Sequence, residues 1–196
     1  MRLFELSPTR SVRVTWTLNE LGMDCERISA PAPQIFQHPE LEKFHPLRKI
    51  PALDVDGKGL FESAAICTYL ADQAPEKGLI SPSGTWERAL HDQWVSFLLT
   101  ELEAWAWSTF RSENIVAEEK RVPEMYEYNR EAYRANAVAL DDHLAKQDYL
   151  VDDKFSVTDI IAGFTCNFGH NHGYHDGFSH INAYLARLKA RPHCTL

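Results

Sequence analysis

The sequence predicts an α+β chain in two parts: a mixed β-α-β-α-β-β-α segment, then an all-helical one. Three observations carry this. Residues 45–63 place Asp56-Gly57 between two short apolar runs, a strong hairpin signal. Residues 74–85 gather Pro75, Gly78, Pro82, Ser83 and Gly84, a cluster of breakers that marks a linker. Beyond it, apolar residues recur at helical spacing.

The elements follow in order. Residues 2–6 read as a strand. Ser7-Pro8 reads as a helix N-cap followed by proline at the first helical position. Residues 10–21 carry Val14, Leu18 and Leu21 at helical spacing, with Gly22 as the stop. Residues 25–28 form a second strand, ended by Pro31 and Pro33, and 34–44 an irregular short helix. Residues 51–55 and 59–61 are the hairpin strands. Pro51 lacks an N–H and suits a strand's first residue, and a cis bond is accessible at Ile50-Pro51. A helix then starts at Glu62-Ser63.

After the linker, residues 86–111 carry Leu90, Trp94, Phe97, Leu98 and Leu102 on one side of a helix. Tyr126, Tyr133, Ala137, Leu140 and Leu144 form the apolar stripe of the next. Ser156 and Asp159 make a capping box, with Phe155 and Ile160 spaced for a hydrophobic staple. The last helix covers 181–191, ahead of Pro192. The expected domains are 1–74 and 85–196, joined by a linker at 75–84.

Composition excludes several classes. With 196 residues, 44% of them hydrophobic and 24% charged, the chain reads as an ordinary globular protein. A net charge of −8 argues against nucleic acid as the main partner. No apolar run approaches the roughly 20 residues of a membrane span. The first residues show no signal-peptide pattern. Cys25, Cys67, Cys166 and Cys194 contain no C-x-x-C and read as reduced thiols. The expected location is the cytoplasm.

Residues 45–63 also suggest chemistry. A backbone turned at Ile50-Pro51 offers N–H and C=O groups to an extended peptide. The bare N–H groups at the helix start by Ser63 favour a carboxylate. His170, His172, His175 and His180 look metal-like. A metal site needs several ligands oriented by further contacts, so the expectation is no metal.

The stretch His45-Pro46-Leu47-Arg48-Lys49-Ile50-Pro51-Ala52-Leu53, then Asp56-Gly57, then Glu62-Ser63-Ala64-Ala65-Ile66-Cys67-Thr68-Tyr69-Leu70 resembles the glutathione-binding half of the cytosolic glutathione transferases, bacterial type. His45 stands where the family usually has Asn, and Arg48 where it has Gly. Phe155–160 and Tyr184-Leu185-Ala186-Arg187-Leu188-Lys189-Ala190-Arg191-Pro192 resemble parts of its second domain. The resemblance implies a thioredoxin-like N-terminal domain followed by a helical bundle.

It also implies a function: conjugation of the glutathione thiolate to small apolar electrophiles, with peroxide or disulfide reduction as related activities. Glutathione is the expected co-substrate. Ile50, before Pro51, would offer its main chain to the cysteinyl unit. Ser63 would take the γ-glutamyl carboxylate and Glu62 its ammonium. Lys49 or Arg48 would pair with the glycyl carboxylate, with Gln37 a weaker candidate. The sulfur must be held as thiolate, which a nearby hydroxyl favours. The family's Ser, Cys or Tyr position falls on Pro8, which cannot serve. The role passes to Thr9, then Ser11, then Ser7, with Arg10 behind them; simple helix capping is the competing account of Ser7 and Thr9. Trp105, Trp107 and Phe110 are the expected walls of an electrophile pocket, or else core or subunit interface. A homodimer is implied. The other reading is a non-catalytic binding or assembly module of the same fold, favoured by Pro8.

Overall fold

The computed structural model describes residues 1–196. They form two compact units, one of Met1–Ser83 with Arg191–Leu196, the other of Gly84–Ala190. The final residues therefore group with the first unit, whereas the sequence places them with the helices. Arg191 helps hold them, its Nε and Nη2 donating to the Glu20 carboxylate at 2.9 and 3.0 Å, and Thr195 Oγ1 donates to the Val12 carbonyl at 3.2 Å.

The first unit is built on a four-stranded sheet of order β2-β1-β3-β4, with β1 Arg2–Glu5, β2 Glu26–Ser29, β3 Ala52–Val55 and β4 Lys58–Phe61. β1 runs parallel to β2, as a strand–helix–strand crossover requires, and antiparallel to β3, with Leu3 opposite Leu53. Asp56 (φ 52°) and Gly57 (φ 84°) both take positive φ in the β3–β4 turn, the conformation that Asp-Gly favours. Gly59 in β4 has a different task. A Cβ there would lie 2.7 Å from the Phe44 Cα, so glycine lets β4 pass against helix α2, Leu41–Phe44. Helices α1, Ser11–Leu21, and α3, Ser63–Asp72, complete this thioredoxin-like unit. Leu3, Phe4, Leu18, Leu53, Ile66 and Leu70 are fully or almost fully buried in its core.

One expectation fails here. α1 does not start at Ser7-Pro8. That peptide bond is cis, residues 7–10 form turns, and Arg10 occupies the N-cap without a side-chain cap. The first helical bond, Val12 N–H to the Thr9 carbonyl at 3.0 Å, closes only at Thr9. The Ile50-Pro51 bond is cis, as expected.

The second unit holds α4 Trp86–Phe97, α5 Ala104–Asn114, α6 Glu124–Leu144, α7 Val157–Asn171 and α8 Ser179–Lys189. The single helix expected over 86–111 is interrupted by a π-helical stretch at Leu98–Glu103. A π turn shifts the helical register, and here adjacent Leu102 and Glu103 are both buried. Glu103 is satisfied there by the Thr165 hydroxyl at 2.8 Å. The stripe on α6 is buried at Tyr133, Ala137, Leu140 and Leu144. The capping box forms at Ser156 and Asp159. α8 starts at Ser179, capped by Asp141 of α6, which accepts from the His180 and Ile181 N–H groups at 3.0 and 2.9 Å.

Candidate functional site

The loop between β1 and α1 carries the three hydroxyls. Thr9 Oγ1 donates to the Leu6 carbonyl at 2.5 Å, accepts from the Ser11 N–H at 3.2 Å and lies 3.0 Å from Ser11 Oγ. Ser11 is 1% exposed and its hydroxyl accepts from the Leu6 N–H at 3.3 Å. A hydroxyl has one proton, and that of Thr9 is spent on Leu6. Thr9 and Ser11 therefore brace the loop against the end of β1. Ser7 is exposed, and its hydroxyl makes no hydrogen bond within the protein. Arg10 is half-buried at the start of α1 and already engaged.

At the mouth of β3, Ile50 packs its side chain against Phe4, Leu41, Phe44 and Ala52. Its main chain enters no backbone hydrogen bond outside the ladder, which begins at Ala52. Pro51 is buried beside it. Lys49 and Gln37 are exposed, with no side-chain partner. Arg48 is committed elsewhere. It donates to Glu42 and to the carbonyls of Phe36 and His38, which leaves Lys49 as the available cation.

Ser63 is the first residue of α3 and 4% exposed. Its hydroxyl accepts from the guanidinium of Arg13, a residue with no exposed surface, at 3.2 Å. With a lone pair so occupied, the Ser63 proton is free to donate. Glu62 precedes it at φ 71° and ψ 111°, a conformation that costs a non-glycine residue roughly 1–3 kcal/mol and is concentrated at functional sites. Its carboxylate is exposed and makes no ion pair.

His45, where the resemblance expects Asn, is 5% exposed. Its Nδ1 accepts from the Leu47 N–H at 3.1 Å, a bond that an amide oxygen would also make. Its ring lies 4.8 Å from that of Phe61. Burial pushes its pKa below the ordinary range, against the pull of Glu62.

In the helical unit the three aromatic candidates do not form one wall. Trp105 meets Tyr128 edge-on at 5.8 Å, and its indole N–H is buried without a partner. Trp107 stacks on Phe110 at 5.5 Å, and Phe110 continues into Phe168 and His172. The histidine run is dispersed into structural contacts. His172 Nδ1 bonds the Phe168 carbonyl at 2.8 Å, His175 Nε2 the Tyr133 hydroxyl at 2.8 Å, and His180 Nδ1 Asp141 at 2.9 Å.

Sequence reasoning missed Arg13. The one available signal was a cation next to Val14 on the buried side of α1, which by itself does not name its partner 50 residues on.

This arrangement matches known proteins over most of the chain. The profile of the glutathione S-transferase N-terminal domain matches residues 9–73, and that of the C-terminal domain matches residues 96–192. The chain belongs to the glutathione S-transferase family. It is 29% identical to protein LigF of a Sphingobium species, over 98% of this chain and 90% of that one. The crystal structure of LigF, a beta-etherase, superposes with a TM-score of 0.83 at 25% identity, covering 98% of this chain and 96% of that one. A sphingomonad glutathione S-transferase complexed with glutathione superposes with a TM-score of 0.85 at 25% identity, over 99% of this chain and 95% of that one. Elongation factor 1-gamma of Prunus avium is 32% identical over 79% of this chain, which spans 37% of that protein.

Proposed function

We propose that this protein binds glutathione in its first unit and transfers the thiolate to a small apolar electrophile. The observation that carries the reading is the start of α3. There a buried hydroxyl is oriented by a buried guanidinium, among the bare N–H groups of a ten-residue helix. A γ-glutamyl carboxylate fits such a seat. Glu62 would take the ammonium, the unpaired main chain of Ile50 the cysteinyl unit, and Lys49 the glycyl carboxylate, with Gln37 in support. Pro51 would hold Ile50 in register.

Ser7 is the best candidate to donate to the sulfur, because its proton is uncommitted. This reverses the order expected from sequence: Thr9 and Ser11 shape the loop. Stacked Trp107 and Phe110 are the apolar wall for the electrophile, with Trp105 left to packing. One relative is a beta-etherase. Displacement of an ether oxygen by a thiolate is a substitution of the same kind, so ethers join the electrophiles to be tried, along with peroxides and disulfides. Detoxification in the cytoplasm by a homodimer completes the reading. Light scattering that gives the mass of a single chain would remove the dimer.

The test is retention on glutathione-agarose, together with a thiolate absorbance titration of bound glutathione. Retention with a lowered thiol pKa is expected. Retention with an unshifted thiol would favour the second reading, a binding or assembly module. That reading draws on Pro8 in the loop and on the similarity to elongation factor 1-gamma.

A further inference from the structure

We propose that the helical unit carries a site for a small quaternary ammonium compound, in the cavity between the start of α4, the end of α6 and the segment 147–152. The cavity holds about 360 Å³, within the range of small-molecule sites. Glu87 and Asp152 are in its lining, and no lysine or arginine is. Trp86, Trp94 and His143 supply three rings, and the rest of the lining is two leucines and two glutamines. None of these residues enters the transferase reading, so the two stand or fall separately.

The rings differ in how they are held. Trp94 is buried, edge-on to Phe97 at 5.6 Å and 4.7 Å from the ring of His143. His143 is fixed in turn by the 3.1 Å bond of its Nε2 to the Leu150 carbonyl. Burial, with Lys146 nearby, lowers its pKa against that bond, so the ring adds no positive charge near neutral pH. Trp86 is 73% exposed and makes no ring contact or hydrogen bond. Its neighbour Glu87 is half-buried, with no ion pair or side-chain hydrogen bond, although it lies within the field of Lys154. Asp152 is paired with Lys154 at 2.7 Å, at the surface, where such a pair contributes little. One open indole, one fixed indole and an uncommitted carboxylate attract a cation through ring faces and charge. A primary ammonium brings three N–H donors that need acceptors on leaving water, and the lining has one uncommitted carboxylate for them. A quaternary ammonium brings none.

The test is an NMR titration of the full chain, isotope-labelled at its five tryptophans, with choline and without glutathione. Choline should move the indole N–H signals of Trp86 and Trp94 saturably and leave that of Trp107 in place. The alcohol 3,3-dimethylbutan-1-ol has carbon where choline has the charged nitrogen, and ethanolamine lacks the methyl groups; each should bind about tenfold more weakly. Glu87→Gln and Trp86→Leu should each weaken choline about tenfold, read on the Trp94 signal. Neither side chain is buried, so both variants should melt like the parent. No saturable movement at Trp86 and Trp94, equal binding of either comparator, or choline binding indifferent to both variants would overturn the proposal.

Discussion

Arg13 and Ser63 meet in the interior of the first unit, the guanidinium donating to the hydroxyl at 3.2 Å. The bond ties the first turns of α1 to the first residue of α3. It also sets the direction of the Ser63 proton, since a hydroxyl that accepts from a cation is left to donate elsewhere. Ser63→Ala should weaken glutathione binding by about 1–3 kcal/mol, the usual loss for a hydrogen bond to a charged group. Calorimetry showing unchanged affinity in a variant that still melts cooperatively would reject this assignment.

The loop hydroxyls divide by where their protons go. Ser7→Ala should raise the pKa of bound glutathione toward its free value. Each unit is about 1.4 kcal/mol of preference for the thiolate, and turnover should fall roughly tenfold per unit. Thr9→Ala should act through the loop, lowering the melting temperature because the Leu6 carbonyl loses its donor, and Thr9→Ser should restore it. If Thr9→Ala removes the thiol shift while Ser7→Ala leaves it intact, the assignment belongs to Thr9.

Asp159 does more than cap α7. Besides the Ser156 N–H at 2.8 Å, it accepts from the Leu150 N–H at 3.0 Å and the Tyr184 hydroxyl at 2.7 Å, and it has no exposed surface. The loss on Asp159→Ala should therefore exceed that of a simple cap, about 0.5–2 kcal/mol, and reach about 3 kcal/mol or more. Ser156→Ala should stay within the cap range. Denaturant unfolding compares the two, and equal losses would mean that the deeper bonds contribute nothing.

His175 and Asp159 give opposing pH dependences. Burial pushes Asp159 up to about 6 from 3.8, against the donors that pull it down. The folded state then binds the extra proton between these values, so stability falls as pH rises from about 4 to 6. Burial, with His170 and Arg134 nearby, pushes His175 down to about 4 from 6.5. Here the unfolded state binds the extra proton, so stability is complete above 6.5 and lost as pH falls toward 4. The two contributions offset each other between 4 and 6. His175→Gln should leave the Asp159 trend uncovered, with the melting temperature rising relative to neutral pH as the solution is acidified to 5. A variant whose pH profile matches the parent would refute the assignment.

Gly169 makes room for the Tyr133–His175 pair. A Cβ there would overlap the Tyr133 hydroxyl and lie 2.9 Å from His175 Nε2. In a helix interior, Ala should gain about 1 kcal/mol over Gly. The clash with two buried side chains outweighs this, at about 1–3 kcal/mol for overpacking. Gly169→Ala should melt lower than the parent, and a higher melting temperature would show that the pair yields freely.

The sequence alone determined what rests on neighbours in the chain. The Asp56-Gly57 turn depends on two adjacent φ angles, and the Ser156–Asp159 box on groups three residues apart. The Gly22 stop needs only one left-handed residue, and the run from 45 to 70 carried the family with it. The tertiary structure decided whatever depends on where a side chain ends. Arg13 reaches Ser63 across 50 positions, Asp141 caps a helix that begins 38 residues later, and Glu103 finds Thr165 through a π-helical shift that no spacing announces. The three loop hydroxyls look alike as letters. The 2.5 Å bond to the Leu6 carbonyl takes the proton of Thr9 and leaves that of Ser7, because a hydroxyl has one proton and three-dimensional proximity settles which acceptor takes it.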